Sequence, residues 1–485
     1  MADETATAAK PCRVRVRMYR QGIGDAFLLS FYTGPEPRHI LIDCGMLTGT
    51  PDARQWAEDI CGDIARETAG GRLDAIVGTH PHWDHLSGFW DARESFDKLA
   101  KNEVWLAWSE NPRDSFAAEH RRQRSLQLDG AQEAVRRLAA SPDPAASFQA
   151  AMVGGVLAFQ GPEIPGVAKR GTDAALDALR ALVPEPRYWL PGDLITRDWL
   201  PGVRIYVLGP PRDEKLLAKL LGRKGSEMYG LGTDSGFFAA LLGQGPGGQP
   251  PADALGQMEL ACPFDGQLRW PRTEPGCPPA AALAEVEGRY GDPADDWRTI
   301  DDAWLHGADQ LSLLLDNAVN NLSLVLAFEL VDTGEVLLFP GDAQVGNWLS
   351  WSGLSWAVEE RAGQDRTVTA ADLLARTVFY KVGHHGSHNA TLMEGGLEAM
   401  THPDLVAAIP VKEAFAEQKG WEMPAQVLYR RLLEKTRGRI IRADGSGPTL
   451  SDPARPPDLQ VCGEFKARVT LPPGGGGLYV DYRLP

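Results

Sequence analysis

Residues 79–88 read THPHWDHLSG and bring His80, His82, Asp84 and His85 within six positions. Imidazole and carboxylate are the side chains that suit zinc and related divalent ions. In an extended segment alternate side chains point the same way, so His80 and His82 can share one ion. The turn that follows lets Asp84 and His85 face a second ion. The chain has ten histidines, and six of them (80, 82, 85, 384, 385 and 388) lie in this motif and in KVGHHGSH at 381–388. The competing reading takes them as ordinary polar surface residues, and that concentration argues against it.

Ligands of this kind need fixed strand ends to hold them. VRVRMY (14–19) alternates, GIGDA (22–26) turns, FLLSFY (27–32) extends, and HILIDCG (39–45) is an apolar run closed by Asp and Gly. Trp56, Ile60, Ile64 and Ala65 recur at helical spacing within 55–69, and LDAIVGTH (73–80) is a short buried strand that delivers the first histidine. Strand, helix, strand with chemistry at the strand ends is how layered α/β folds place their sites. RYWLPGDLI (187–195) and VRIYVLGPP (203–211) read as a strand pair. Further strands are expected in NNLSLVLAFEL (320–330), EVLLFPGDA (335–343), RTVFYKVGHHGSH (376–388), LVAAIPV (405–411) and GRIIRAD (438–444), with a helix over 424–436.

Residues 93–185 read as a helical insertion whose clearest part is a helix pair within 119–140. Its RRQR run (121–124) is ordinarily a solvated helix face. Residues 212–315 form a Gly/Pro-rich second insertion with a mobile loop at 243–254. A flexible N-terminus over 1–12, a domain proper over 13–450 and a C-terminal tail over 451–485 complete the expected organisation.

The formal charge is −16 and the sequence pI about 5.2, which argues against a broad basic surface coating nucleic acid. A phosphate substrate stays compatible, because bound divalent ions reverse the local sign. Six cysteines at 12, 44, 61, 262, 277 and 462 include no C-x-x-C pair, a pattern that suits a reducing compartment. The start MADETATAAK has no apolar leader, and no run of about 18 apolar residues occurs, so a cytoplasmic protein without a membrane span is expected.

H-x-H-x-D-H is the hallmark of the metallo-β-lactamase-fold hydrolases, and the chain resembles that superfamily. Within it, the resemblance is to the hydrolase domain of ComEC-type DNA-uptake proteins and their free-standing relatives. GIGDAFLL, LIDCG, YWLPGDLI, YVLGPP, NNLSLVL, FPGDA, KVGHHGS and PAQVLYRRLLEKTRGRIIRADGSG carry it, over 13–92, 187–211 and 316–447. The resemblance implies an αββα sandwich with two inserted segments and two divalent metal ions, Zn or Mn. It makes Asp342 the bridge between the ions and His384 the residue that completes the site of Asp84 and His85. Taken alone, Asp342 would be a turn residue after Pro-Gly. Asp43 is expected to fix a ligand histidine, as partners of ligating imidazoles do, or to be a strand-end turn residue. Asp25 orients the site or caps its own turn. His385 and His388 contact substrate or protonate a leaving group, or are satisfied structural histidines. Lys381 could meet a phosphate, though a strand-end lysine in solvent is the ordinary case.

One departure matters. Where many members have a further histidine before the bridging Asp, this chain has Asn320, Asn321 and Ser323, as the ComEC-like branch does. The first ion then has two imidazoles, the bridging Asp and an Asn such as Asn321 or water, an oxygen-richer set that favours Mn. His120 and His306 could substitute only if an insertion folds back.

The implied mechanism is metal-dependent hydrolysis by a metal-bridged hydroxide, with ions about 3.5–4 Å apart and Asp84 and Asp342 holding both ions and water. The expected substrate is a phosphodiester, with single-stranded DNA first. A small ester or cyclic nucleotide is the alternative. A third reading makes the chain an interaction module of a multi-protein system, binding a protein partner through the insertions.

Overall fold

The expected central strands carry runs of apolar residues, and the fold buries them on both faces. The computed structural model describes residues 12–70, 72–140, 144–162, 171–217, 318–359, 365–419, 421–445, 463–472 and 477–485. In the strand Arg38–Cys44, Ile40 and Ile42 point one way and Leu41 the other, the two-residue period of a strand, and Cys44 joins the side of Leu41 after the left-handed Asp43. Ala75 and Val77 face the same way in Arg72–Gly78, with Ile76 between them facing the other.

One sheet has eight strands in the order Val469–Thr470, Tyr479–Leu484, Val14–Tyr19, Ala26–Phe31, Arg38–Cys44, Arg72–Gly78, Ala100–Ala107 and Arg187–Trp189. A second has seven, in the order Ile440–Arg442, Val406–Ile409, Thr377–Lys381, Val336–Phe339, Val325–Leu330, Val203–Gly209 and Leu194–Ile195, and Ser355–Glu359 pairs with Asp365–Thr369 in a small third sheet. Each of the two large sheets is antiparallel at one side and parallel at the other. Their inner faces share one apolar core, with Phe27 against Phe339 and Phe31 against Phe328 at ring distances of 5.7 and 5.8 Å. Each such side chain contributes roughly 1.5–3 kcal/mol by leaving water.

Helices cover both outer faces. Ala53–Glu67 buries Ala57, Ile60, Cys61 and Ile64, the i, i+3, i+4, i+7 stripe of a surface helix, against the first sheet, joined by Trp83–Asp91 and Gly171–Ala181. Val345–Ser350, Ala370–Ala375 and Gln426–Lys435 cover the second. This is the expected αββα metallo-β-lactamase sandwich. No helix among the described residues is long and apolar enough to cross a membrane.

The boundaries differ from expectation in five places. The strand Ala100–Ala107 and the helix Gly171–Ala181 fall inside the presumed insertion 93–185 yet belong to the sandwich. RYWLPGDLI is two strands in two sheets, because Gly192 takes φ 94° and the Asp193 carboxylate accepts the Leu190 N–H, turning the chain between them. Residues 320–323 form a turn, so the strand expected from 320 begins at Val325. Ser115–Ala140 is one helix instead of a helix pair: Gly130 does not break it, and Glu119–Arg122 and Glu133–Arg136 pairs at one-turn spacing support it. Most of the second insertion, the loop at 243–254 and His306 lie outside the described residues.

The fifth difference is at the C-terminus, where the presumed tail supplies a core strand. Tyr479–Leu484 pairs residue for residue with Val14–Tyr19. Arg17, fully buried, clamps it: Nε and Nη2 reach the Asp481 carboxylate at 2.7 and 2.8 Å, and Nη1 reaches Asp63 at 2.7 Å. The guanidinium lies 3.4 Å from the centre of the Tyr479 ring.

The chain divides into two compact units, the sandwich forming the first. The described part of the second, Glu119–Leu157, is helical and buries Leu128, Ala131, Leu138, Ala150 and Val153.

Candidate metal centre

The histidines and carboxylates sit where strands end. Arg72–Gly78 runs into Thr79 and His80, and the chain then turns through His82, extended at φ −105°, into the helix Trp83–Asp91. Asp84 and His85 occupy its first turn, where a carboxylate is favoured by the helix dipole. Asp342 follows Val336–Phe339, and His384 and His385 follow the neighbouring parallel strand Thr377–Lys381. Both of these histidines have left-handed backbones, at φ 43° and 53°, as does Asp43 at 55°. Each costs about 1–3 kcal/mol, and such residues cluster at functional sites.

Two glycines make the close approach possible. A Cβ on Gly45 would fall 2.3 Å from the Asp84 carbonyl carbon, and one on Gly24 2.7 Å from the Asp84 oxygen. The Asp25 N–H donates to that same Asp84 oxygen at 3.0 Å, so the GIGD and DCG turns pack directly on the backbone of the metal motif.

Asp43 fixes two parts of the site. Its Oδ1 accepts the Thr79 N–H at 2.8 Å, and its Oδ2 accepts from Thr79 Oγ1 at 2.7 Å and from His85 Nδ1 at 2.8 Å. With Nδ1 so engaged, His85 turns Nε2 toward Asp342 Oδ2 at 3.1 Å and Asp84 Oδ2 at 3.7 Å. His385 is held alike: Nδ1 donates to the Pro410 carbonyl at 2.7 Å, and Nε2 faces Asp84 Oδ2 at 3.0 Å. Asp84, His85, Asp342 and His385, all buried, therefore offer ligand atoms within 4.8 Å of one another. Asp84 Oδ1, His85 Nε2 and Asp342 Oδ2 make no hydrogen bond. Two of them, His85 Nε2 and Asp342 Oδ2, face each other as an ion pair, and buried ligand atoms without hydrogen bonds at an imidazole–carboxylate cluster fit a divalent cation.

His80 and His82 stand beside this group. His80 Nε2 lies 3.0 Å from His82 Nδ1, and the His80 and His85 rings are 4.2 Å apart. His384, expected as the ligand, instead places Nδ1 3.3 Å from Gln344 Nε2, and its own N–H donates to Asp342 Oδ1 at 2.8 Å. Among the described residues, the close groups of three or more ionisable ligands include His385 and not His384, His80 or His82.

Electrostatics divides the imidazoles. Burial pushes His82 down to about 3, His384 to about 4 and His80 well below its ordinary value, so all three are neutral at pH 7. Burial acts the same way on His85, but the surrounding carboxylates, Asp342 first, outweigh it and raise its pKa well above normal. His385 is raised too, burial being outweighed by Asp84 and Asp342. For Asp342, burial opposes ionisation, yet Lys381 and His85 hold the carboxyl well below the usual range.

Lys381 departs from the solvated strand-end lysine expected of it: it is buried and ion-paired to Asp342 and Asp25. Asp25 thus reaches the site through Lys381, with its Oδ2 3.8 Å from His85 Nδ1. Asn321 holds backbone: its Oδ1 accepts the Asn347 N–H at 3.0 Å and its Nδ2 donates to the Leu217 carbonyl at 3.3 Å. His388 is exposed and makes none of the hydrogen bonds that join the cluster. His120 lies on the helix Ser115–Ala140, outside every close ligand group of the described residues. Phe159 walls the site, 5.8 Å from the rings of both His82 and His384 and stacked on Trp421 at 5.2 Å. Nothing in the sequence marks Phe159 or Gln344, whereas Lys381 and Thr79 adjoin the two histidine motifs.

Residues 22–167 match the family model described as the Metallo-beta-lactamase superfamily. The matched segment contains Asp25, Asp43, His80, His82, Asp84 and His85. No match is found among curated proteins. That superfamily is mostly hydrolytic and typically binds divalent metals, usually zinc, which suits the buried His/Asp cluster and supports a metal-dependent hydrolase.

Proposed function

We propose that the chain is a metal-dependent phosphodiesterase or nuclease of the ComEC-like branch, working with two divalent ions, Zn or Mn. The observation that carries the metal requirement is the set of three buried ligand atoms without hydrogen bonds, on Asp84, His85 and Asp342, facing His385 Nε2. Asp84, His85, Asp342 and His385 would hold one ion, and His80 and His82, with Asp342 shared, the other. Bound ions supply Lewis acidity and activate water at neutral pH. The protein's own part is orientation. Asp43 and the Pro410 carbonyl fix the tautomers of His85 and His385, and the Phe159–Trp421 wall excludes water from one flank. Support for the narrower branch comes from the GIGDA, NNLS and KVGHHGS motifs together with the Asn in place of the further histidine.

A small phosphodiester such as a cyclic nucleotide is the second reading. The aromatic wall beside His82 and His384 favours it, as does the −16 charge, which disfavours tight non-specific binding to DNA. The experiment is metal analysis coupled to hydrolysis of bis-p-nitrophenyl phosphate with added Zn or Mn, followed by DNA, RNA and cyclic nucleotides. Asp84→Ala and His82→Ala are expected to lower turnover by more than about 100-fold, beyond the usual cost of losing a ligand's outer partner. Unchanged turnover in both would defeat the reading.

A further inference from the structure

Lys381 ends the strand Thr377–Lys381 and is 1% exposed. An ammonium has three protons to donate, and three acceptors meet this one: Gly341 O at 2.8 Å, Asp342 Oδ1 at 2.9 Å, and the Asp25 carboxylate. A lone ammonium in such an interior would be costly, and the two carboxylates offset that cost. Gly341 brings its carbonyl into place at φ 57°, where an added Cβ would stand 3.0 Å from both Ser323 and Thr79. Asp342 Oδ1 takes a second hydrogen bond from the His384 N–H. Asp342 Oδ2 takes none and faces His85 Nε2. The two oxygens of this carboxylate are therefore not equivalent.

We propose that Lys381 is a positioning residue for the metal site: it ties down Asp342 Oδ1, with Asp25 steadying the ammonium, so that Asp342 offers only Oδ2 to the ions. The proposal rests on the metal-hydrolase reading. A carboxylate free to turn would grip a single ion with both oxygens and fill a coordination position there. Held by Lys381, it leaves that position to water or substrate, as a catalytic site requires.

Two measurements test this without reference to turnover. In a crystal structure of the zinc-loaded wild-type protein, Asp342 Oδ2 is expected at about 2.0–2.2 Å from zinc, with Oδ1 still on Lys381. Both oxygens on one ion, or Lys381 swung away, overturns the proposal. In solution, cobalt(II) titration followed by visible absorption reads coordination directly. Lys381→Met is expected to bind cobalt about 10- to 100-fold more weakly, with weaker absorption as a second oxygen enters the site. Asp25→Asn keeps an oxygen that can accept from the Lys381 ammonium, and is expected to weaken cobalt binding less than Lys381→Met does. A folded Lys381→Met with wild-type affinity and spectrum overturns the proposal, and if that variant does not fold, the zinc-loaded structure decides. Wild-type protein that binds no metal removes the hydrolase reading and this proposal together. Metal bound by both oxygens of Asp342 removes only the role of Lys381.

Discussion

His85 and His385 are built alike, although one lies on a helix and the other in a left-handed turn. Each commits Nδ1 to a fixed acceptor, Asp43 or the Pro410 carbonyl, and aims Nε2 at the Asp84 and Asp342 carboxylates. Those carboxylates raise both imidazoles despite burial and so favour their protonated forms in the metal-free chain. A protonated nitrogen cannot ligate. Metal uptake is expected to release protons, with affinity rising with pH and falling as acid is added. His82 and His384, pushed down to about 3 and about 4 by burial, are already neutral and release none. Titration calorimetry of the metal-free protein in buffers of different ionisation enthalpy is expected to show about one proton or more released per chain on saturation. Uptake with no proton release would show that the two imidazoles are neutral beforehand.

Among the elements, the first strand and the last depend on one buried side chain. Arg17 compensates Asp481 on the C-terminal strand and Asp63 on the helix Ala53–Glu67, with the Tyr19 hydroxyl also on Asp63 at 2.9 Å. Removing it leaves two buried carboxylates with only their longer pairs, Asp481 to Arg15 at 3.9 Å and Asp63 to Arg66 at 3.4 Å. Arg17→Ala is expected to lose about 3–5 kcal/mol of stability, the usual result of breaking a buried pair from one side. Urea unfolding reads this, and a change below about 1 kcal/mol, the range of exposed pairs, would mean that water reaches the site. Ser323, in the turn before Val325–Leu330, shows the same economy: its Oγ accepts the Asp342 N–H at 3.1 Å and so steadies the residue Lys381 also holds.

At the scale of the whole molecule, the residues of the candidate site come from the strand ends of two sheets. Asp43, His80, His82, Asp84 and His85 end or follow strands of the first, and Asp342, His384 and His385 follow strands of the second. The shared core with Phe27, Phe31, Phe328 and Phe339, the Leu324 N–H on the Thr79 carbonyl and the Lys381–Asp25 ion pair bring them together. A metal bridging the sheets binds the folded chain and not the unfolded one, so it must stabilise the fold. Excess Zn or Mn at about 100 times its dissociation constant is expected to add about 2.7 kcal/mol, and a chelator to remove it. Thermal unfolding with and without chelator measures the effect. Identical midpoints would show that the native protein holds no ion.

Residue type and local spacing determined much of this protein in advance. H-x-H-x-D-H after an apolar strand placed the metal motif, the apolar runs in HILIDCG and LDAIVGTH marked buried strands, and the −16 net charge argued against a basic coat. All of these are properties of a few neighbouring residues or of composition, and they survive without knowledge of the fold. What lay at long range did not. Whether His384 or His385 turns inward is decided by two left-handed backbone conformations and by a carbonyl at 410. The burial of Lys381 depends on Asp25, far earlier in the chain, and the recruitment of 479–484 depends on Arg17. The first turns on backbone conformation and a carbonyl 25 residues on; the other two are contacts between segments hundreds of residues apart, and no local pattern encodes them.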